Sequence, residues 1–378
     1  MFKKISVLFI VFIYLSSGSV FAYDARSYIL MDRQTKQILL AHNAQEKLEM
    51  ASTTKIMTAL VAIELADLES EFTIPDEAAG IEGSSIYLSA GETFKVIDLL
   101  YGLMIRSGND SAVALAIATA GSEAHFVHLM NQKAEMIGAY NTVFANPHGL
   151  DGAIHYTTAY DLALITAHAM DNPLLKEIAS TKYYKSTTKQ GTVREFHSNN
   201  KFILNYPYAT TSKTGWTTPA GRCLTSAAKK DEMEIVSVLL NAPNWFNDAM
   251  HMMDWGFENF EAVELVAKDA VLDIVDVVNG DKRVVPVVAG ESLNFPVKKG
   301  SDPIITTEKQ IHNTYAPISK GEKLGVLQFY IDGKIFYEVD LLASEDVAKK
   351  PLPWYLRLIS KLNFIGNIPL ESKGWYSW

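Results

Sequence analysis

The spacing of apolar residues changes once along this chain, near Phe260, and that change limits the folds open to it. Ahead of it the helical period dominates. Ile56, Met57, Leu60, Val61 and Ile63 make residues 52–65 apolar nearly all round, which predicts a helix buried inside a domain. Residues 96–104, 111–120, 123–137 and 158–170 read as further helices. Strand-like runs at 27–31 and 37–40 flank a polar turn at the start of this region, and runs at 221–227 and 234–241 end it. Strands at both ends with helices between them predict an antiparallel sheet covered by helices, an α+β domain. Past Phe260, from Val263 to about Leu342, only short strand patterns remain. Residues 272–278 lead into Asn279-Gly280 and 284–288 leave it; residues 325–331 lead into Asp332-Gly333 and 334–341 leave that. Both dipeptides supply the positive φ that a two-residue hairpin turn needs. A second, all-β domain of roughly 85 residues is predicted.

The two ends of the chain differ from both domains. Lys3 and Lys4 precede an apolar stretch from Ile5 to about Leu15, and Val20-Phe21-Ala22 has the small-residue pattern read by signal peptidase. The apolar stretch is short for a span of about 20 residues, so cleavage after Ala22 and export are expected. At the other end Lys349-Lys350-Pro351 breaks the pattern. Trp354, Tyr355, Leu358, Ile359 and Leu362 then recur at helical spacing, with Arg357, Ser360 and Lys361 opposite them. Aromatic and aliphatic residues on one face and cations on the other suit a helix lying in a membrane interface. The expected organisation is a signal peptide at 1–22, an α+β domain at 23–259, an all-β domain at 260–347 and a membrane-anchoring tail at 348–378.

Composition narrows the function classes. A formal net charge of −9 and the lack of a long basic run exclude a nucleic-acid partner. The single cysteine, Cys223, cannot form an internal disulfide and is expected to be a packed, inert thiol on a strand. The nine histidines contain no helical His-x-x-x-His pair with a third ligand at sensible spacing, so neither metal nor other cofactor is expected.

Three short motifs carry the chemistry. The first, Ser52-Thr53-Thr54-Lys55, opens the apolar helix. Residues three apart on a helix share a face, so the Lys55 amine lies within reach of the Ser52 hydroxyl. A serine needs a base to become a nucleophile, and a lysine can be that base only when burial or a second cation keeps it neutral. Ser-x-x-Lys also begins at Ser186, Ser198 and Ser226, but none of these opens a long apolar helix, and ordinary surface positions are expected there. The second motif is Ser107-Gly108-Asn109, between two helical stretches. Its hydroxyl can pass a proton to a leaving amine and its amide can hold substrate backbone. The third, Lys213-Thr214-Gly215, occurs once. On a strand edge Lys213 would aim a cation into the site, Thr214 would hydrogen-bond a carboxylate, and Gly215 would let the strand come close. The amide of Trp216 could pair with that of Ser52 as an oxyanion hole. Each motif alone also has a bland reading as cap, loop or turn.

The three in this order, roughly 55 and 105 residues apart, resemble the set found in penicillin-binding proteins and class A β-lactamases. The residues 51–59, 103–112 and 213–217, with His148-Gly149-Leu150-Asp151 and Thr158-Ala159-Tyr160-Asp161, are similar to the low-molecular-mass D-alanyl-D-alanine carboxypeptidases of peptidase family S11. The likeness covers nearly the whole mature chain, with Asp254-Trp255-Gly256-Phe257 resembling the junction into a C-terminal β domain. It implies a penicillin-binding-protein/β-lactamase-like serine transferase fold. It implies that Ser52 attacks the bond between two terminal D-alanines of a peptidoglycan stem peptide, with Lys55 as base and Ser107 as proton relay. Asn109, Lys213, Thr214, Gly215, Trp216 and Thr217 are then the substrate-binding residues, and β-lactam antibiotics acylate Ser52. The location implied is the periplasmic face of the cytoplasmic membrane, held peripherally by the tail.

Met50 stands where the family often has proline, and Trp216 where it often has Phe or His. His155 falls near a family histidine and is expected to support the site rather than react in it. A β-lactamase would need a Glu-x-x-x-Asn loop well before Lys213; the only match between the second and third motifs, at Glu195 and Asn199, is too close. A non-catalytic wall-binding protein on the same scaffold would be marked by loss of Ser52 or Lys55, and both are present.

Overall fold

The computed structural model describes residues 23–152, 154–312 and 314–351. The expected export signal, 1–22, and residues 352–378 of the expected tail lie outside the described residues. The chain divides into two compact units. One comprises the described residues up to Met31, with Ile38–Ala228 and Ile235–Asp254; the other comprises Asp32–Gln37, Lys229–Glu234 and the described residues from Trp255 on.

In chain order the elements are β1 (Ser27–Asp32), β2 (Ile38–His42), α1 (Lys55–Leu65), β3 (Glu71–Thr73), β4 (Thr93–Lys95), α2 (Val96–Arg106), α3 (Asn109–Ala120), α4 (Glu123–Ile137), α5 (Ala159–Ala169), α6 (Pro173–Ser180), β5 (Tyr183–Thr187), β6 (Val193–His197), α7 (Lys201–Asn205), β7 (Ala209–Thr217), β8 (Gly221–Lys230), β9 (Met233–Leu240) and α8 (Trp245–Asn259). The main sheet has the order β2-β1-β9-β8-β7, which leaves β7 at an edge. The pairs β1/β2 and β7/β8 are antiparallel. One apolar core is built from α1 to α4 and α6, with Ile56, Leu60, Leu99, Leu103, Leu115 and Phe126 at its centre. A second core lies between the sheet and α5, among Ile29, Leu162, Val236 and Val238. Every residue of α1 from Lys55 to Ala62 is buried, as its all-round apolar pattern requires. Thr158 caps α5 by accepting from the Asp161 amide, and Asn172 caps α6 with Pro173 in the first turn.

Two elements of the first unit depart from the sequence expectation. Ser52 does not sit on α1 but in a 3-10 turn, Ala51–Thr54, that leads into it. The hairpin β5/β6 occupies a stretch where the sequence predicts no strand. Each of its strands buries a single residue, Ser186 or Phe196, so no apolar alternation marks it.

The second unit is all-β beyond α8. Its strands are β10 (Phe260–Val266), β11 (Val271–Asp276), β12 (Val284–Ala289), β13 (Leu293–Lys298), β14 (Ile305–Ile311), β15 (Lys323–Ile331) and β16 (Lys334–Ala343). They form a pair β10-β13 and an antiparallel sheet β11-β12-β16-β15-β14. Val285, Val287, Leu293, Phe329, Val339 and Leu341 fill its core. Asp332 and Gly333 both take positive φ between the paired Ile331 and Lys334, the expected two-residue turn. Asn279-Gly280 does not make one. Pairing of β11 and β12 stops at Asp276 and Val284, and the intervening loop instead bridges to Tyr315 through Val278 and to Lys349 through Gly280.

Candidate active site

The turn that carries Ser52 is held under strain. Ala51 has φ 47°, a left-handed conformation that costs a residue with a Cβ about 1–2 kcal/mol. Gly149, at φ +90°, packs directly against it: a Cβ there would stand 2.0 Å from the Ala51 carbonyl oxygen. From the other side comes β7. A Cβ on Gly215 would stand 2.7 Å from the Ser52 nitrogen and 2.9 Å from that of Thr53, so only glycine permits this approach.

Lys55 is fully buried at the start of α1. Its Nζ donates to Asn109 Oδ1 at 2.7 Å and to the His148 carbonyl at 2.6 Å, and stands 3.0 Å from Ser52 Oγ. The Asn109 amide is oriented by its own Nδ2, which donates to the Glu82 carbonyl at 2.6 Å. Two of the three directions at Nζ therefore end on pure acceptors. In a neutral amine the third direction, toward Ser52, holds the lone pair. Burial, reinforced by the charge of Lys213 and opposed by Asp110, pushes the Lys55 ammonium well below the usual lysine range.

Lys213, equally buried on β7, donates to Ser107 Oγ at 2.9 Å and to the Thr214 carbonyl at 2.7 Å. Burial pushes it down to about 7. Ser107 ends α2 in the left-handed region, φ 59° and ψ 33°, a conformation that for a serine marks a position fixed by its surroundings. The three motifs thus meet: Ser52 with Lys55 and Asn109, and Ser107 with Lys213.

The sequence matches the family profile described as D-alanyl-D-alanine carboxypeptidase over residues 16–244, and that of the penicillin-binding protein 5 C-terminal domain over 260–349. The chain belongs to the D-alanyl-D-alanine carboxypeptidase family. It is 35% identical over 355 residues to D-alanyl-D-alanine carboxypeptidase DacF of Bacillus subtilis, spanning 90% of each chain. It is 34% identical to D-alanyl-D-alanine carboxypeptidase DacC of Escherichia coli, over 86% of this chain and 84% of the other. Among solved structures, penicillin binding protein 5 from Haemophilus influenzae aligns with TM-score 0.68 and 29% identity, over 87% of this chain and 98% of that one. The chain is therefore a carboxypeptidase of peptidase family S11 and a penicillin-binding protein, and serine acyl-enzyme chemistry is general to this family.

In this carboxypeptidase the remaining motif residues line the same strand. Thr214 is half-buried, Trp216 is 62% exposed, and Thr217 Oγ1 donates to Asp151 Oδ1 at 2.7 Å. Of the other Ser-x-x-Lys serines, Ser186 and Ser226 are buried rather than at the surface, and Ser226 shares a hydrogen bond with Ser237 at 2.8 Å. Cys223 is buried on β8, and desolvation pushes its thiol up to about 12.

Several groups that shape the site carried no clear mark in the sequence. The Asp110 carboxylate, completely buried, accepts from Ser85 Oγ at 2.6 Å and from the amides of Ile86, Leu88 and Ser111, which fastens the loop over the second motif. Asn146 Oδ1 accepts from the Gly149 amide at 2.6 Å, and Asn146 Nδ2 donates to the Leu150 carbonyl, which fixes the loop that presents the His148 carbonyl. The Asn-x-x-Gly spacing was the available signal, since asparagine side chains form such local turns.

Proposed function

We propose that Ser52 is the residue acylated in this carboxypeptidase and that the substrate is a peptidoglycan stem peptide ending in D-Ala-D-Ala. The observation that carries the reading is the set of three contacts at Lys55 Nζ. Ser52 Oγ attacks the carbonyl carbon of the penultimate D-alanine while its proton passes to the Lys55 lone pair. The amides of Ser52 and Trp216 stabilise the oxyanion, and the edge position of β7 supports that role for Trp216. Lys55 returns that proton through Ser107, which Lys213 holds, to the departing D-alanine nitrogen, so that Lys55 is neutral again when the amine leaves. Lys213 and Thr214 bind the terminal carboxylate, Gly215 keeps β7 close to the Ser52 turn, and Asn109 holds the peptide backbone; Thr217 lies at the end of the same strand with its hydroxyl on Asp151. Water, with Lys55 again as base, then releases the shortened peptide. A β-lactam mimics the D-Ala-D-Ala end and leaves a slowly hydrolysed ester on Ser52.

Release of D-alanine from diacetyl-Lys-D-Ala-D-Ala tests this. Ser52→Ala is expected to lose at least about 10³-fold in rate and to show no penicillin adduct by mass spectrometry. Equal release by both proteins would overturn the reading.

The location proposed is outside the cytoplasm, on the periplasmic face of the membrane. Its support is the sequence of residues 1–22 and of the amphipathic segment after Pro351. Flotation with liposomes, before and after deletion of residues 351–378, should show binding lost with the tail; binding that survives deletion would refute the anchor.

A further inference from the structure

His155 is 3% exposed, and the acylation route above makes no use of it. Both of its ring nitrogens are engaged. The Ala145 amide donates to Nδ1 at 3.0 Å, so Nδ1 is an acceptor and the ring proton sits on Nε2. Nε2 stands 2.8 Å from Thr54 Oγ1, and Thr54 Oγ1 donates to the Ala51 carbonyl at 2.8 Å. With the tautomer fixed, the chain of hydrogen bonds runs in one direction only, from the ring through the hydroxyl to that carbonyl. Burial pushes the imidazole down to about 4, against Asp151 and with Lys55, so the neutral ring is the form present near neutral pH.

The end of this chain is what matters. The Ala51 carbonyl and the Ser52 amide belong to one planar trans peptide group and point in opposite directions. Fixing the carbonyl on Thr54 aims the Ser52 N–H the other way. The Ser52 nitrogen lies on the side where Gly215 of β7 comes closest. Ala51 has a left-handed φ, which a turn of this sequence would not adopt unaided.

We propose that His155 is a positioning residue for the oxyanion hole: through Thr54 it locks the peptide between Ala51 and Ser52 so that the Ser52 amide faces the carbonyl under attack. The ring neither touches substrate nor moves a proton in the reaction. This rests on the assignment of Ser52 as nucleophile and goes further, because it separates aiming of the amide from activation of the hydroxyl.

The test compares His155→Leu, Thr54→Val and Thr54→Ser in the full chain. His155→Leu and Thr54→Val should lower kcat for D-alanine release about 10- to 100-fold, a partial loss of one oxyanion donor, with KM within about twofold. Affinity for a peptidyl boronic acid, whose tetrahedral adduct places an oxygen in that hole, should fall in step with kcat/KM. Thr54→Ser keeps the hydroxyl and should stay near wild type. The double variant should lose no more than either single one, because both cut the same chain. The pH at which the rate falls should not move, as it would if His155 were the base. Wild-type kcat and boronate affinity in His155→Leu and Thr54→Val would overturn the proposal, as would loss in KM alone. Should His155→Leu fail to fold, the contrast between Thr54→Ser and Thr54→Val decides. An active Ser52→Ala would sink the nucleophile assignment itself, whereas an inactive Ser52→Ala beside an unaffected His155→Leu sinks only the positioning role.

Discussion

The two compact units treat polar groups in opposite ways. The first buries Lys55, Lys213, Asn109, Asp110 and His155, and holds Ala51 and Ser107 at positive φ beside them. In the second, among the described residues from Trp255 on, the buried polar side chains are those of Thr314 and Gln328, and its two short segments add Asp32, Thr35 and Glu234. Its ion pairs beyond α8, Lys282–Glu345, Lys309–Asp273 and Lys323–Asp340, stand in solvent, where such pairs contribute little, while Arg33–Glu234 in its two short segments is partly buried. Its positive-φ residues, such as Asp332 and Gly333, lie in turns that favour them. Burying a charge costs stability unless it is fully paired, and left-handed alanine adds to that cost. The first unit accepts both costs around one hydroxyl, which marks a site shaped by chemistry rather than by stability. Beyond α8 the second follows folding preferences.

The sharpest way to break this contrast is to replace Lys55 by methionine. With Lys55 as the proposed base, this is expected to reduce D-alanine release by about 10³-fold or more. Stability should change little. Methionine removes the cost of burying an amine but leaves Asn109 Oδ1 and the His148 carbonyl without their donor, and each unpaired acceptor costs about 1–3 kcal/mol. Thermal denaturation should therefore place the midpoint within a few degrees of wild type. A fall of more than about 10 °C would mean that Lys55 holds the unit together, and the contrast would fail.

The opposite outcome is expected in the second unit. Phe329 is almost wholly buried there, with its ring against Phe336. Phe329→Ala should cost about 3–5 kcal/mol through lost burial and a cavity. It should appear as an earlier denaturant transition, while D-alanine release under native conditions stays within twofold. A parallel loss of activity would show that the catalytic geometry depends on this core.

What the sequence disclosed follows a different division, between features set by neighbours in the chain and features set by distant residues. Helices with apolar periods, the Asp332-Gly333 turn and the three motifs were legible, because each depends on residues close together in the chain. The hairpin β5/β6 was not, since it buries one residue per strand. Asn279-Gly280 failed as a turn signal because the loop containing it is held by bridges to Tyr315 and Lys349, far along the chain. The strain at Ala51 was equally hidden. It depends on Gly149 and on the His155–Thr54 hydrogen bond, and no local rule couples residues about a hundred positions apart.

Acid sharpens the contrast most gently. Burial lowers His155 to about 4 and His148 to about 3, both in the first unit, from an ordinary value near 6.5. A histidine whose folded value is depressed binds its proton more readily in the unfolded chain. Its contribution to stability is therefore complete above about pH 6.5 and drains away as pH falls through about 4. For His155 the loss over that window is on the order of 3 kcal/mol. Lys213, at about 7, is already mostly protonated at pH 6.5 and adds to the slope only at the top of the window. His155→Gln should accordingly flatten the dependence of the first unit's unfolding free energy between pH 6.5 and 4, when measured by denaturant titration at several pH values. His148 remains in that variant, so a slope that persists unchanged would shift the acid sensitivity from the His155 imidazole to that of His148.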